Sequence, residues 1–357
     1  MVNGNPVVKP LEVDAILREK WGKTHQGTGL QLPTHFFMGR YGDYLFSAGE
    51  FPLPRIDGTS LRCAIFAAND TSSSSDHVRN RDLKLLPPAG MDALASVLNA
   101  VEESGRWPKQ LLHGVNSYLL KPGGDPYEPL DYRPILILSI IYRRWASLRL
   151  RQMRRWVESW QLEEMFAGIR GRGAADAWWS DALLREWATA TGQFFAASDF
   201  DIFKCFDQLP RDLVIAIAVR AGFPSKVARA YLFFHDNLSV RNKMAQGYGE
   251  AHHKEVGIPQ GCPFSMVFLA LILRPWILLQ RAMGTIPRTM ADDTRFFVFA
   301  YSIEAVALIF RPAFEMTAMY IQDLGSVLSF RKCASYASGP SSGPPWPLSG
   351  LWTGRSR

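Results

Sequence analysis

Cysteine is scarce: the 357 residues contain four, Cys63, Cys205, Cys262 and Cys333. None forms a Cys-x-x-Cys pair and none stands near a histidine at zinc-finger spacing, so neither a disulfide framework nor a zinc module is encoded. Free thiols buried in a reducing compartment are the expectation. The opening MVNGNPVVKPLEVD has no apolar core, so it does not read as a secretory signal. Long hydrophobic runs are also missing. The longest, 266–279, is broken by Arg274 and Pro275 and is too short to span a bilayer. No membrane is therefore expected as a partner, and the chain reads as soluble and intracellular. Internal repeats are absent. So is an acidic surplus: 40 Lys and Arg against 33 Asp and Glu give +7, with a pI near 9.3. That balance suits a polyanionic partner without establishing one.

What is present is core-forming material. Hydrophobic residues make up 47% and charged residues 20%, a globular composition long enough for two or three packed units. Residues 1–85 are rich in Gly, Pro and Ser and read as loops with a few short strands. From Pro88 the spacing turns helical, MDALASVLNAVEESG closing on a glycine. VNSYLLKPGGDP reads as a strand entering a turn. Residues 134–160 read as a basic helix in which Arg143, Arg144, Arg149, Arg151, Arg154 and Arg155 interleave with Trp145, Leu148 and Trp156. One face would pack and the other meet solvent or phosphate. AADAWWSDALLREWATA is a further helix, FFAASDFD a strand, and PFSMVFLALILRPWILLQRAM a loop feeding a buried helix. RTMADDTRFFVFA reads as two apolar strands around a polar centre, and FEMTAMYIQDLGSVLSF as an amphipathic helix. The tail from Gly339, again Gly-, Pro- and Ser-rich, is expected to be unstructured.

Three pieces carry chemistry. Asp201 ends an apolar strand, where a carboxylate is costly without a partner; taken alone, such an Asp is more often a helix cap than a metal ligand, and Asp199 and Asp207 are rivals close by. Asp292 and Asp293 sit between two short strands. Adjacent strand residues point to opposite faces, so the pair converges on one site only where the chain turns, as in a tight hairpin. An ordinary Asp-rich turn has the same look. Gly257-Ile258-Pro259-Gln260-Gly261-Cys262-Pro263-Phe264-Ser265 combines glycines and prolines before a buried helix. Close backbone approach to a ligand and a plain helix-entry loop both account for the glycines. Carboxylates converging from separate elements are what magnesium-dependent nucleotidyl transfer requires, because hard divalent ions take oxygen ligands and bridge substrate phosphates.

In this order the pieces resemble motifs A, B and C of reverse transcriptases, most nearly the non-LTR retrotransposon and group II intron type. Leu120-Lys121-Pro122-Gly123 and Tyr132-Arg133-Pro134-Ile135 resemble the start of that family's fingers. Phe166-Ala167-Gly168-Ile169-Arg170-Gly171-Arg172-Gly173 with Ala175-Asp176-Ala177 resembles its next motif. Leu324-Gly325 and Leu328-Ser329-x-x-Lys332 resemble motif D. The likeness spans about 85–338. It implies an α+β right-hand polymerase fold, with a loop-rich extension over 1–85, fingers over 86–190, a palm of antiparallel strands backed by helices over 191–338, and no room for a thumb before the tail at 339–357. It implies RNA-directed DNA polymerase activity of a retroelement: addition of deoxynucleotides to a primer 3′-hydroxyl on an RNA template, with two magnesium ions, or manganese, and the nucleus as setting.

By position, the resemblance makes Asp201 and Asp292 the principal metal ligands and Asp293 the supporting carboxylate. Gln260 and Gly261 would lie against nucleotide and template. Lys121 falls in the substrate-binding fingers. Arg133, Arg170 or Arg172 would hold the triphosphate, because guanidinium suits bidentate phosphate contact. Lys332 would protonate pyrophosphate, or be a solvated surface lysine. Phe206 would exclude a ribose 2′-hydroxyl, which favours deoxynucleotides. Met290 stands where the family often has Tyr or Phe, and thumb, endonuclease, zinc knuckle and RNase H sequences are missing. An inactive remnant that only binds nucleic acid is therefore the alternative. A primase- or cyclase-like transferase is a third reading, disfavoured by the Gly-Ile-Pro-Gln-Gly loop.

Overall fold

The computed structural model describes residues 9–245 and 247–338. The expected unstructured tail at 339–357 lies outside the described residues. In chain order the first elements are α1 (Pro10–His25), α2 (Thr34–Arg40), α3 (Gly58–Phe66), α4 (Asn80–Lys84), α5 (Pro88–Ser104), β1 (His113–Leu120) and β2 (Tyr132–Ile137). Next come α6 (Ile140–Gln152), α7 (Arg154–Trp160), α8 (Ala174–Ala190), β3 (Phe194–Asp201), α9 (Cys205–Gln208), α10 (Arg211–Arg220) and α11 (Ser225–Asp236). The last are β4 (Ser239–Met244), β5 (Gly247–Tyr248), α12 (Ser265–Ala282), β6 (Ile286–Met290), β7 (Asp293–Ala300), α13 (Ile303–Asp323) and β8 (Ala334–Ala337). The architecture is α+β. It resolves into two compact units built from interleaved segments.

The first unit comprises 1–28, 47–159 and 206–265. Its sheet has the order β2-β1-β4-β5. β1 pairs antiparallel with β2 (Val115 opposite Ile137) and parallel with β4 (Gly114 opposite Val240). Its core is aromatic: Trp107, Tyr142, Trp145, Phe234 and Phe264 meet edge-to-face or stacked, geometries that add to simple area burial. α5 ends as its glycine foretold, with Gly105 at φ 71° in the left-handed cap position.

Two expectations fail here. The described residues 9–85 are not loops with strands; they carry α1 to α4. Most of the Gly, Pro and Ser sit between these helices, and Pro10 opens α1 at a position where a helix tolerates it. Leu17 and Trp21 then turn one face inward. The basic stretch over 134–160 is likewise not one helix with a free cationic face. β2 runs to Ile137 before α6 begins, and Arg149 is buried, bound through Nε to Glu102 at 2.6 Å. Arg143 is spent on Thr71 Oγ1 and the Ser72 carbonyl, at 2.9 and 2.7 Å.

The second unit comprises 29–46, 160–205 and the chain from 266. Its sheet is antiparallel throughout, in the order β6-β7-β3-β8. Side chains alternate across a strand, so Phe200 and Phe296 share one face. There they meet Phe310 and Phe314 of α13, with centroids 5.3 Å apart in each contact. The opposite face carries Asp199, Asp201, Asp293 and Arg295, and α8 lies over part of it. α13 starts at Ile303, well before the expected 314, and stops at Asp323; Ser302 caps it by accepting from Ala305 N at 3.1 Å. α12 is long and apolar enough to cross a membrane by length and composition, and 72% of it is buried inside the protein. No unit boundary falls at 85 or 190.

Candidate active site

The β3–β7 ladder sets the site. Its register pairs Asp201 directly with Asp293. Opposed residues of an antiparallel pair have Cβ atoms roughly 4.5–5.5 Å apart and lie on one face. Two carboxylates far apart in sequence are thereby side by side. The β6–β7 hairpin supplies the third. Met290 pairs with Asp293, so the turn is the two residues Ala291 and Asp292. Ala291 adopts φ 56°, a left-handed conformation costly for a residue with a Cβ. The expected polar centre between two strands is present, but Asp293 opens β7 rather than lying in the turn.

Lys332 joins them. The segment after α13 runs beside the exit of β3: Ser329 N donates to the Asp201 carbonyl and Phe203 N to that of Val327, at 2.8 and 2.9 Å. Lys332 N closes back on the Ser329 carbonyl at 2.8 Å. The Ser-x-x-Lys spacing is thus a turn that delivers the ammonium to Asp201, Nζ to Oδ2 at 3.3 Å. The lysine side chain remains 59% exposed. Cys333 Sγ accepts from Asp201 N at 3.4 Å.

Asp201, Asp293 and Lys332 line a cleft of about 370 Å³ together with Trp178, Asp181, Asp199, Arg288, Met290 and Arg295. Burial, then the charge of Asp201, pushes the Asp293 carboxyl up. Burial, then Asp293 and Asp201, does the same to Asp292. Partly desolvated carboxylates that repel one another are an electrostatic sink for cations. Their oxygen donors, drawn from two strands and a turn, suit a hard divalent ion that also takes substrate oxygens. Among the described residues no group of three or more His, Cys, Asp or Glu forms a ready-made metal cage. The donors that the register brings together are two, Asp201 and Asp293, with Asp292 in the adjoining turn.

Other cleft residues were not legible in the sequence. Arg295 makes ion pairs with both Asp199 and Asp181 of α8, which neutralises Asp199, the rival to Asp201. Arg288 reaches Ser180 Oγ at 2.9 Å, and its Nε is buried without a hydrogen-bond partner. Burial lowers its pKa. Only an arginine inside an apolar strand hinted at a role for it.

The remaining expected residues are dispersed over the two units. In the second, the loop over 162–173 is tied to β6, Phe166 N donating to the Thr289 carbonyl at 2.9 Å. Arg172 is turned onto the carbonyls of Leu162 and Met165, so it holds this loop. Arg170 is exposed. Asp176 caps α8 by accepting from Gly173 N at 2.8 Å.

In the first unit, Arg133 is exposed on β2, and Lys121 N donates to the Asp131 carbonyl at the hairpin end. Phe206 is buried, and its carbonyl accepts from Ile258 N at 2.8 Å. The Gln260 carbonyl accepts from Leu136 N at 3.1 Å. Gly261 stands at φ 128°, and a Cβ there would come 2.4 Å from the Leu136 carbonyl oxygen. At Gly257, φ 102°, a Cβ would come 3.1 Å from the Phe206 carbonyl oxygen and 3.2 Å from the Asp207 backbone. At both glycines the close approach is to the protein's own backbone; of the two accounts the sequence left open, the helix-entry loop has this contact behind it.

No protein-family profile matches the chain. No curated protein matches it either. Among solved structures it is similar to apo telomerase from Candida tropicalis truncated from the C-terminal domain, at 12% identity and a TM-score of 0.48 over 66% of this chain and 52% of that one. Telomerase from Candida tropicalis in complex with a TWJ fragment of telomeric RNA aligns at 11% identity and 0.48, over 72% and 46%. The chain spans about half the length of each.

Proposed function

We propose that the cleft at Asp201 and Asp293 is the catalytic centre of an RNA-directed DNA polymerase of a retroelement, joining deoxynucleotides to a primer 3′-hydroxyl on an RNA template. The observation that carries this reading is the register of β3 against β7, which sets the two aspartates opposite each other beside the Asp292 turn. The motif order makes Asp201 and Asp292 the principal ligands and Asp293 the supporting carboxylate; the register exchanges the last two in this proposal. In this reading Asp201 and Asp293, with Asp292 beside them, hold two magnesium ions, whose chemistry is to neutralise charge on the reacting phosphate oxygens. Lys332, exposed and cationic next to Asp201, keeps a proton within reach of a departing pyrophosphate. Arg288 and the exposed Arg170 orient the triphosphate. The fingers and palm, the deoxynucleotide preference attributed to Phe206, and a nuclear setting belong to the same proposal.

One observation favours the second reading, a nucleic-acid-binding remnant without turnover. Lys332 neutralises Asp201 directly.

Primer extension on poly(rA)/oligo(dT) with magnesium, run with wild type and Asp201→Ala, separates the two. Extension by wild type that disappears in the variant upholds the polymerase. RNA retention on a filter without extension by folded wild type establishes the remnant. Equal extension by both proteins removes Asp201 from the mechanism and overturns the assignment of this site.

A further inference from the structure

One side of the cleft carries an indole. Two aromatic residues border the space, and they differ: Phe200 is buried and turns its ring to the other face of the sheet, against Phe314, whereas Trp178 on the first turns of α8 is 68% exposed. The helix is fixed to the sheet by Asp181 on Arg295, by Ser180 on Arg288 and by the Asp176 cap. Trp178 is therefore held on a rigid element, immediately before residues anchored to the site. The same cleft is lined by Arg288 and Lys332, cations suited to phosphate. An exposed π-face, positive groups and a carboxylate floor within one cleft match the three parts of a nucleotide: base, phosphate tail and the metal-bridged reacting oxygens. Aromatic faces bind bases of any sequence by stacking.

We propose that the Trp178 indole is a stacking platform for a nucleobase at the Asp201–Asp293 cleft. This rests on the polymerase reading above for the identity of the ligand, not for the geometry. The base belongs either to the incoming deoxynucleotide or to the primer terminus. Trp179 is the internal contrast. It is 60% exposed and its ring lies 6.1 Å from that of Trp178, yet it does not line the cleft. Exposure alone predicts equal behaviour for the two; the platform predicts that only Trp178 matters.

The test is equilibrium binding by calorimetry, with dTTP, inorganic tripolyphosphate and oligo(dT) annealed to poly(rA) as separate probes. The proteins are wild type, Trp178→Ala, Trp178→Phe and Trp179→Ala. Loss of stacking on one base weakens affinity on the order of tenfold. The expected result is that loss in Trp178→Ala for dTTP or for primer–template, whichever holds the base. Tripolyphosphate affinity stays unchanged, Trp178→Phe recovers most of the loss, and Trp179→Ala behaves as wild type. Unchanged affinities in Trp178→Ala, an equal loss for tripolyphosphate, or no binding of either base-containing probe by wild type would overturn the platform. Primer extension with the Asp201→Ala control is run on the same preparations. Extension that is indifferent to Trp178 sinks the platform and spares the polymerase. Base binding that depends on Trp178 without extension does the reverse.

Discussion

Asp201 and Asp207 stand close together in the chain and looked alike as candidates, yet the fold treats them in opposite ways. Asp207, in the first unit, is 4% exposed. Its Oδ1 lies 3.4 Å from His25 Nε2 and 3.7 Å from Lys254 Nζ, beside a cavity of about 10 Å³. Burial, and then the charge of Lys254, holds His25 down to about 4, so the imidazole is neutral and the ion pair is Asp207 with Lys254. Burial also lowers the pKa of Lys254 itself. That cluster is closed, its charges answer each other, and the space beside it holds roughly one water. Asp201 instead faces a cleft of about 370 Å³, its cationic partner is an exposed lysine, and its neighbours are carboxylates that repel it. Compensated buried charge is architecture. Charge left open to an exchangeable partner is what a ligand can use.

The widest separation between the two should come from truncation. Asp201→Ala is expected to lower primer extension by at least about 10³-fold, at the upper end for removing one group that stabilises developing charge. Its urea melt should shift by no more than about 1 kcal/mol, because the lysine of the lost pair is exposed to solvent and is left hydrated. Asp207→Ala should do the opposite and destabilise the fold by about 3–5 kcal/mol, since it strands the buried Lys254. Exchange of these outcomes would reverse the assignment.

Gly261→Ala comes next. A Cβ at φ 128° against the Leu136 carbonyl should destabilise by about 1–3 kcal/mol in the same melt. A variant with a wild-type melt but a raised KM for nucleotide would return this glycine to the ligand.

The smallest effect sharpens the cleft electrostatically. The Asp292 carboxyl is raised in the fold, by burial first and then by Asp293 and Asp201. Its contribution to stability is therefore fully present below the ordinary aspartate value of about 3.9 and is lost as pH rises through the raised folded value. Asp292→Asn escapes that loss. Its melting temperature should exceed that of wild type by about 1–3 °C near neutrality, with the gap closing toward pH 4 and narrowing when magnesium is added. A constant gap across pH would mean that the carboxyl is not perturbed.

Much of the site was legible because its signals are local. An apolar strand ending in Asp201, a polar pair between two strands and a glycine closing α5 each follow from a handful of neighbours. The Ser329-x-x-Lys332 spacing turned out to be a turn that aims the lysine at Asp201. What escaped was whatever depends on a distant partner. Arg149 and Arg172 looked available for phosphate and are consumed by Glu102 and by backbone carbonyls. Arg288, Arg295, Asp181 and Trp178 carried no motif; the arginines enter the cleft through the register of β6 and β7, and Asp181 and Trp178 because α8 crosses the charged face of the sheet. The helices of the N-terminal 85 residues were hidden because composition averages over segments, while α1 needs only one inward face.

The sequence by itself determined which residue types were present and how they alternate: the strand periods, the turn that lifts Asp292, and the glycines that only unusual backbone accepts. Tertiary structure alone decided which carboxylate is open and which is sealed. That choice depends on strand register and on charges brought in from remote segments, and electrostatic energy falls so steeply with distance and hydration that a few ångströms of packing change a ligand-binding acid into a structural one.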